Sequence, residues 1–221
     1  MQKLGIAFAA ALALAPIGAA TAFAASEVSD ASKIVDSLDV TAVGKLIAEI
    51  GGQKVETTEQ GDKKLIVFYE SDQPYIIAIT ACDAKPGKCI ALAQMALVDT
   101  SPASISLDQL NTVNGDSLFM TGFKLDGNKI GFGRIIVVDG GVTRQNLAIN
   151  LAVFVVAIPE ALKLIQGQLT SSLQQQPNPQ AAAALASLRF TPVQADPRQL
   201  RAISDQLLTP YRAMLTRGIR H

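Results

Sequence analysis

Residues Met120–Ile165, MTGFKLDGNKIGFGRIIVVDGGVTRQNLAINLAVFVVAIPEALKLI, decide the fold. Asp126-Gly127-Asn128 separates two runs, Phe119–Leu125 and Lys129–Val138, whose alternation of side-chain character predicts two strands joined by a tight turn. Asp139-Gly140-Gly141-Val142-Thr143 then reads as a second turn that ends on a helix N-cap, Thr143. Downstream, Leu147, Leu151, Phe154, Ile158, Leu162 and Ile165 recur at steps of three and four, so they form one helical stripe that must be covered, most simply by a sheet. Ile149, Val153 and Val156 lie off that row. A helix apolar beyond one stripe is expected to be enclosed on more than one side, by the sheet and first helix, by the C-terminal tail, or by a second copy of the chain. Leu147–Ile158 is short and contains Asn150, which argues against a membrane span. Pro159 predicts a kink rather than an end, because Leu162 and Ile165 stay in register.

The hairpin's facing follows from the loop length. For a two- or four-residue turn, Phe119, Thr121, Phe123 and Leu125 share a face with Ile130, Phe132, Arg134, Ile136 and Val138, and most of that face is core. Met120, Gly122, Lys124, Gly131, Gly133, Ile135 and Val137 then lie opposite. Gly122, Gly131 and Gly133 would bare the backbone there, marking either a bend or the close approach of another element. Together with Ile149, Val153 and Val156 they make the candidate interaction surface.

Toward the N-terminus the elements are plainer. Ile34-Val35 is a short strand or a lead-in to the first helix. Asp39 caps Val40–Ile50, where Val43, Leu46, Ile47 and Ile50 form a stripe, and Gly51-Gly52 stops it. Lys54–Thr58 is a weak strand suited to a sheet edge. Lys64–Glu70, Tyr75–Ala81 and Ile90–Val98 are three strand-like runs, although the Ala-rich Cys89–Leu97 also suits a helix. Ser106 caps a short helix over Leu107–Val113, with Gln109 near the capping-box position and Asn114-Gly115 closing it.

The 221 residues, 49% apolar with no formal net charge, suffice for one sizeable core. Residues 25–165 are net acidic and 166–221 net basic, and no single strongly basic surface recommends nucleic acid. Lys3 followed by the apolar run Leu4–Pro16 and the triplet Ala22-Phe23-Ala24 reads as a secretory signal peptide over 1–24, cleaved before Ala25; an uncleaved anchor helix is the alternative. Export to a periplasm or the medium makes a Cys82–Cys89 disulfide the natural outcome, worth about 2–3 kcal/mol at most for so short a loop. A reactive thiol pair would favour two intervening residues rather than six. A metal site needs more ligands than this neighbourhood supplies.

Beyond Gly167 the composition changes. Residues 168–195, with Gln174-Gln175-Gln176-Pro177-Asn178-Pro179, read as a low-complexity linker that includes an Ala-rich stretch, Gln180–Leu188. Asp196-Pro197 opens a last amphipathic helix over 196–221, with Leu200, Ile203, Leu207, Tyr211 and Met214 on one side. Self-docking or solvation is favoured for it over a partner grip or an anionic membrane surface.

Chemistry is hard to find. The single histidine, His221, is terminal, which leaves no Ser-His-Asp, Cys-His or zinc-hydrolase constellation. Gly131-Phe132-Gly133 lies within a strand and lacks a third spaced glycine, so it is no nucleotide loop. Asp126 and Asp139 are explained by turns. The chain is expected to be no enzyme and to use no cofactor.

The order of a Cys-containing turn after three strands, Asn111-Thr112-Val113-Asn114, Phe119, Leu125-Asp126-Gly127-Asn128 and Val138-Asp139-Gly140-Gly141-Val142-Thr143 followed by Asn146-Leu147 resembles the YbjN family, labelled as bacterial sensory transduction regulators. The likeness covers Lys33 to Ile165. It departs at Val113, where members often carry Trp. The resemblance implies a fold like the type III secretion chaperones, a twisted antiparallel sheet flanked by helices and often dimeric, and no established reaction. The residues read by themselves agree on an α+β layer arrangement of about five strands over 25–167, with a partly helical tail. The expected role is an exported, non-catalytic interaction or chaperone-like module, in sensing or stress regulation, with an unknown protein partner or a second copy. The alternative is a small-ligand or lipid-binding protein with its cleft between the long helix and the sheet.

Overall fold

In this computed structural model, residues 28–60, 63–82, 88–117, 119–175 and parts of 179–193 are described. The expected leader 1–24, loop residues 83–87 and the segment 196–221 lie outside them. Twelve elements follow in order: β1 (Ile34–Val35), α1 (Val40–Glu49), β2 (Gln53–Gln60), β3 (Lys63–Glu70), β4 (Gln73–Cys82), β5 (Cys89–Asp99), α2 (Leu107–Asp116), β6 (Thr121–Lys124), β7 (Lys129–Val137), β8 (Val142–Thr143), α3 (Arg144–Gln175) and β9 (Thr191–Pro192). The architecture is α+β, as the element pattern predicts, but the sheet is larger than five strands. An antiparallel path β2-β3-β4-β5-β7-β6 is joined by β9 on β5, and β1 pairs with β8 in a separate ribbon.

Local chemistry accounts for each element. The Asp39 carboxylate accepts from the Ala42 N–H at 2.9 Å, and Gly51, at φ +102°, turns the chain out of α1. Ser106 and Gln109 form a complete capping box on α2. Cys89–Leu97 is strand, not helix. Every residue from Ala91 to Val98 is buried between β4 and β7, whereas a helix would hide only a stripe of them. β2, rich in Thr and charge, is the sheet edge its composition suits.

The two faces of the sheet differ in what covers them. On one, Phe68, Tyr75, Ile77, Leu92, Ala96 and Phe132 pack against α1, α2 and α3. On the other, Val67, Ile76, Ala78, Ala93, Met95 and Leu97 form a second cluster with Val193.

α3 lays Leu147, Leu151, Phe154, Ile158 and Ile165 onto the first face, each no more than 2% exposed. Each contributes about 1.5–3 kcal/mol of burial. Leu162 is only half-buried, and Ala161 takes the interior position beside it. The helix continues through Pro159 and past Gly167 to Gln175, well into the polar stretch. There the hydroxyls of Thr170, Ser171 and Ser172 donate to the carbonyls four residues back, which satisfies them without a break in the helix. Over Arg144–Ser172 the helix is long and apolar enough to cross a membrane by length and composition, more than its interrupted apolar run suggests. Its sheet-facing row is nonetheless packed against protein.

The hairpin's facing is a correction. The Leu125 N–H bonds the Lys129 carbonyl at 3.0 Å, which leaves a loop of three residues, Asp126-Gly127-Asn128, with Gly127 at φ +70°. An odd loop shifts the pairing by one and exchanges faces. Gly122 therefore sits opposite Phe132, and Phe123 opposite Gly131. Gly122 lies on the helix-covered face, while Gly131 and Gly133 lie on the other.

Candidate functional site

The side of α3 turned away from its buried row is apolar and open. With the ends of α1 and α2 and with the segment before β6 it forms a groove of about 540 Å³, in which Ile149, Val153, Val156 and Leu164 are met by Ile50 and Val113. Ile149 is 47% exposed and Val156 57%, so the described residues do not enclose these positions. Phe119 belongs here as well. Read as a core residue, it is 47% exposed, lines the groove and stacks over the Arg134 guanidinium at 5.8 Å. Strand β6 begins only at Thr121, so Phe119 is released from the alternation that put it inside.

The glycines of the expected surface are each covered. A Cβ on Gly122 would meet Leu110 at 3.2 Å and Asn114 at 3.3 Å, because α2 approaches closely. Asn114 uses that proximity: its side chain accepts from the Gly122 N–H at 2.6 Å and donates to the Gly122 carbonyl at 3.1 Å, standing in for a missing neighbour strand at the sheet edge. Gly131 lies beneath the Phe123 ring, and Gly133 beside it. Only Ile149, Val153 and Val156 of the six candidate residues line the groove.

Beneath α3 the sheet face carries a polar strip. The Gln94 amide donates to the Leu151 carbonyl at 3.3 Å, and Arg134 donates to Asn150. Gln94 Oε1 and one Arg134 amino nitrogen are buried without a hydrogen-bond partner among the described residues. Burial lowers the Arg134 pKa from its usual range. Next along the helix, Pro159 has no N–H for the Val155 carbonyl, and the Tyr75 hydroxyl donates to that oxygen at 3.5 Å. Desolvation, and secondarily Glu70, raises the Tyr75 pKa, so the hydroxyl stays a donor. Tyr75 also stacks on Phe68 and meets Phe154 edge-on, so it joins the sheet to the helix by both packing and hydrogen bonding.

At the N-terminus of α3, Arg144 grips Glu49 through two bonds, 2.7 and 2.9 Å, and donates to the Ser29 carbonyl. Arg144's hydrogen bond, with help from Ser29, holds the Glu49 carboxyl below its ordinary range against the opposing effect of burial. At the far end the groove opens into a polar bay of about 830 Å³ lined by Asp108, Asp116, Glu160 and Lys163. No group of three or more metal-ligating side chains occurs among the described residues. Cys82 and Cys89, register partners at the β4/β5 end, lie at disulfide distance, S–S 2.06 Å.

The groove was legible only in part. Ile149, Val153 and Val156 announce it as apolar positions off the helical row, but Val113, Phe119 and Met120 join it through tertiary placement that no local pattern encodes.

No family model matches this chain, and no curated protein does. Among solved structures, E. coli YbjN, described as a candidate transcription regulator, aligns at 17% identity with a TM-score of 0.39, over 60% of this chain and 91% of that one. That is a distant likeness at the level of the fold, and it carries nothing about activity.

Proposed function

We propose that this protein is an exported, non-catalytic interaction module, chaperone-like in that the far side of α3 shelters an apolar surface of another polypeptide. The observation that carries this is the open apolar groove centred on Ile149, Val153 and Val156. An exposed apolar patch of this kind on a folded chain marks a contact site. Export is supported by the leader pattern and by the Cys82–Cys89 pair, which suits an oxidising compartment. Any part in sensing or stress regulation would act through the bound partner.

A photo-crosslinking residue at Val153 in the full-length chain, expressed in its own cell, tests the reading. A discrete adduct that disappears in the Val156→Asp variant is the expected result. A monomer with no adduct under any growth condition would dispose of it.

A second reading, a small apolar ligand or lipid, has the groove's volume in its favour, since such sites run from about 300 to 1,000 Å³. The cleft first expected for it, between α3 and the sheet, is filled by Leu151, Phe154 and Ile158. Native mass spectrometry of the purified protein, before and after solvent extraction, separates this reading from the first.

A further inference from the structure

The groove is uncharged along most of its length and acidic at one end. Its charged lining side chains are Asp116, the last residue of α2, and Glu160 on α3. Both continue into the adjoining bay, where Asp108 adds a third carboxylate. The one cation in that lining, Lys163, pairs with Glu160 at 2.7 Å and offsets it, so the surplus negative charge rests on Asp108 and Asp116. The C-terminus of α2, which has no basic residue in its last turn, adds the negative end of a helix dipole at the same place.

We propose that the occupant is a basic amphipathic helix of another polypeptide, its apolar stripe laid along Ile149, Val153 and Val156 and its Lys or Arg side chains set against Asp116 and the acidic bay beyond it. This rests on the interaction reading above and names the partner's chemistry. From Gln145 to Leu164 the groove follows α3 for about 28 Å, roughly five turns of a second helix. Side chains at helical spacing suit such a groove.

A second copy and an anionic lipid fit the charges less well. A second copy packed antiparallel along α3 would bring its Gln145 and Asn146 to the acidic end, because the nearby Arg144 is held by its own Glu49. A copy packed parallel would set carboxylate against carboxylate. An acyl chain with an anionic head would be repelled at the same end.

Fluorescence anisotropy on the full mature chain tests this with two labelled helical probes of about five turns, which share one leucine stripe and carry Arg or Glu on the polar face. The Arg probe is expected to bind, with the Glu probe about tenfold weaker or more. Asp116→Asn/Glu160→Gln should weaken the Arg probe about fivefold at low salt, and by less in about 0.5 M NaCl. Val156→Asp should abolish binding of the Arg probe. If both probes bind alike and Val156→Asp abolishes both, the charge assignment fails while the groove reading stands. If binding survives Val156→Asp, the groove reading fails with it. Sedimentation of a dimer that Val156→Asp dissociates would give the groove to a second copy, and a large gain in affinity on deleting residues 196–221 would give it to the chain's own tail.

Discussion

Gly131→Ala probes the hairpin register directly. An added Cβ would lie 2.3 Å from Cε2 and Cζ of Phe123, so the ring or the strand must move. Overpacking of this kind costs about 1–3 kcal/mol. Against it stands a gain of about 0.5–1 kcal/mol from replacing a glycine within a strand, since Gly131 has no positive φ to protect. On the central values the clash wins, and a net loss of about 1 kcal/mol should lower the urea midpoint by roughly 0.5 M. In a Phe123→Ala background the obstacle is gone and only the gain remains, so the same substitution should raise the midpoint. Gly133→Ala, whose Cβ would lie 3.3 Å from the ring, should sit between these cases. The cycle is read by urea titrations of the four chains. Equal effects of Gly131→Ala in both backgrounds would mean that Phe123 does not lie over Gly131, and the three-residue loop would be refuted.

Tyr75→Phe should cost about 1 kcal/mol by taking the donor from the Val155 carbonyl, and measurably less in a Pro159→Ala background, where the helix can supply its own N–H. The Glu49 carboxyl, lowered chiefly by the Arg144 hydrogen bond, contributes stability that is complete above its ordinary pKa of 4.5 and is lost as pH falls through the lower folded-state value. Thermal melts between about pH 5 and 3 should therefore fall more steeply for wild type than for Glu49→Gln; parallel slopes would remove Glu49 from the account. Cys82→Ala/Cys89→Ala should lose about 2–3 kcal/mol in denaturant titration, the value for closing so short a loop. No loss would mean that the pair is unbonded in solution.

What the chain declares in one dimension, it declares well. Asp39, Ser106 and Thr143 mark helix starts because their side chains bond amides within the next turn, a purely local event. The β-branched and aromatic bias of Lys64–Glu70 and Tyr75–Ala81, set between turn residues, identifies strands for the same reason. The hairpin's faces were lost to a count of one: two, three and four residues are all compatible with Asp126-Gly127-Asn128, and only the odd loop puts Phe123 over Gly131. The length of α3 was hidden because Thr170-Ser171-Ser172 are weak helix formers, whose hydroxyls here bond the preceding turn within a continuing helix. Phe119 was misplaced because alternation was extended beyond the true start of β6. Of the functional surface, Ile149, Val153 and Val156 were visible as a second apolar side of one helix; the acidic end could not be, because Asp116 and Glu160 come from different helices.

Leu151 and Val156 are five residues apart on α3, the first 1% exposed on the sheet and the second 57% exposed in the groove. Introducing Asp at each, one at a time, and measuring both thermal unfolding and binding of the Arg-bearing helix probe tests whether the far side of α3 serves contact rather than the core. Leu151→Asp should fail to fold stably, since it leaves a carboxylate buried without a partner. Val156→Asp should melt within a few degrees of wild type and bind nothing, a surface change being worth about 0.5 kcal/mol or less in stability. A Val156→Asp chain that unfolds like Leu151→Asp, or that melts normally and binds the probe unchanged, would contradict the account.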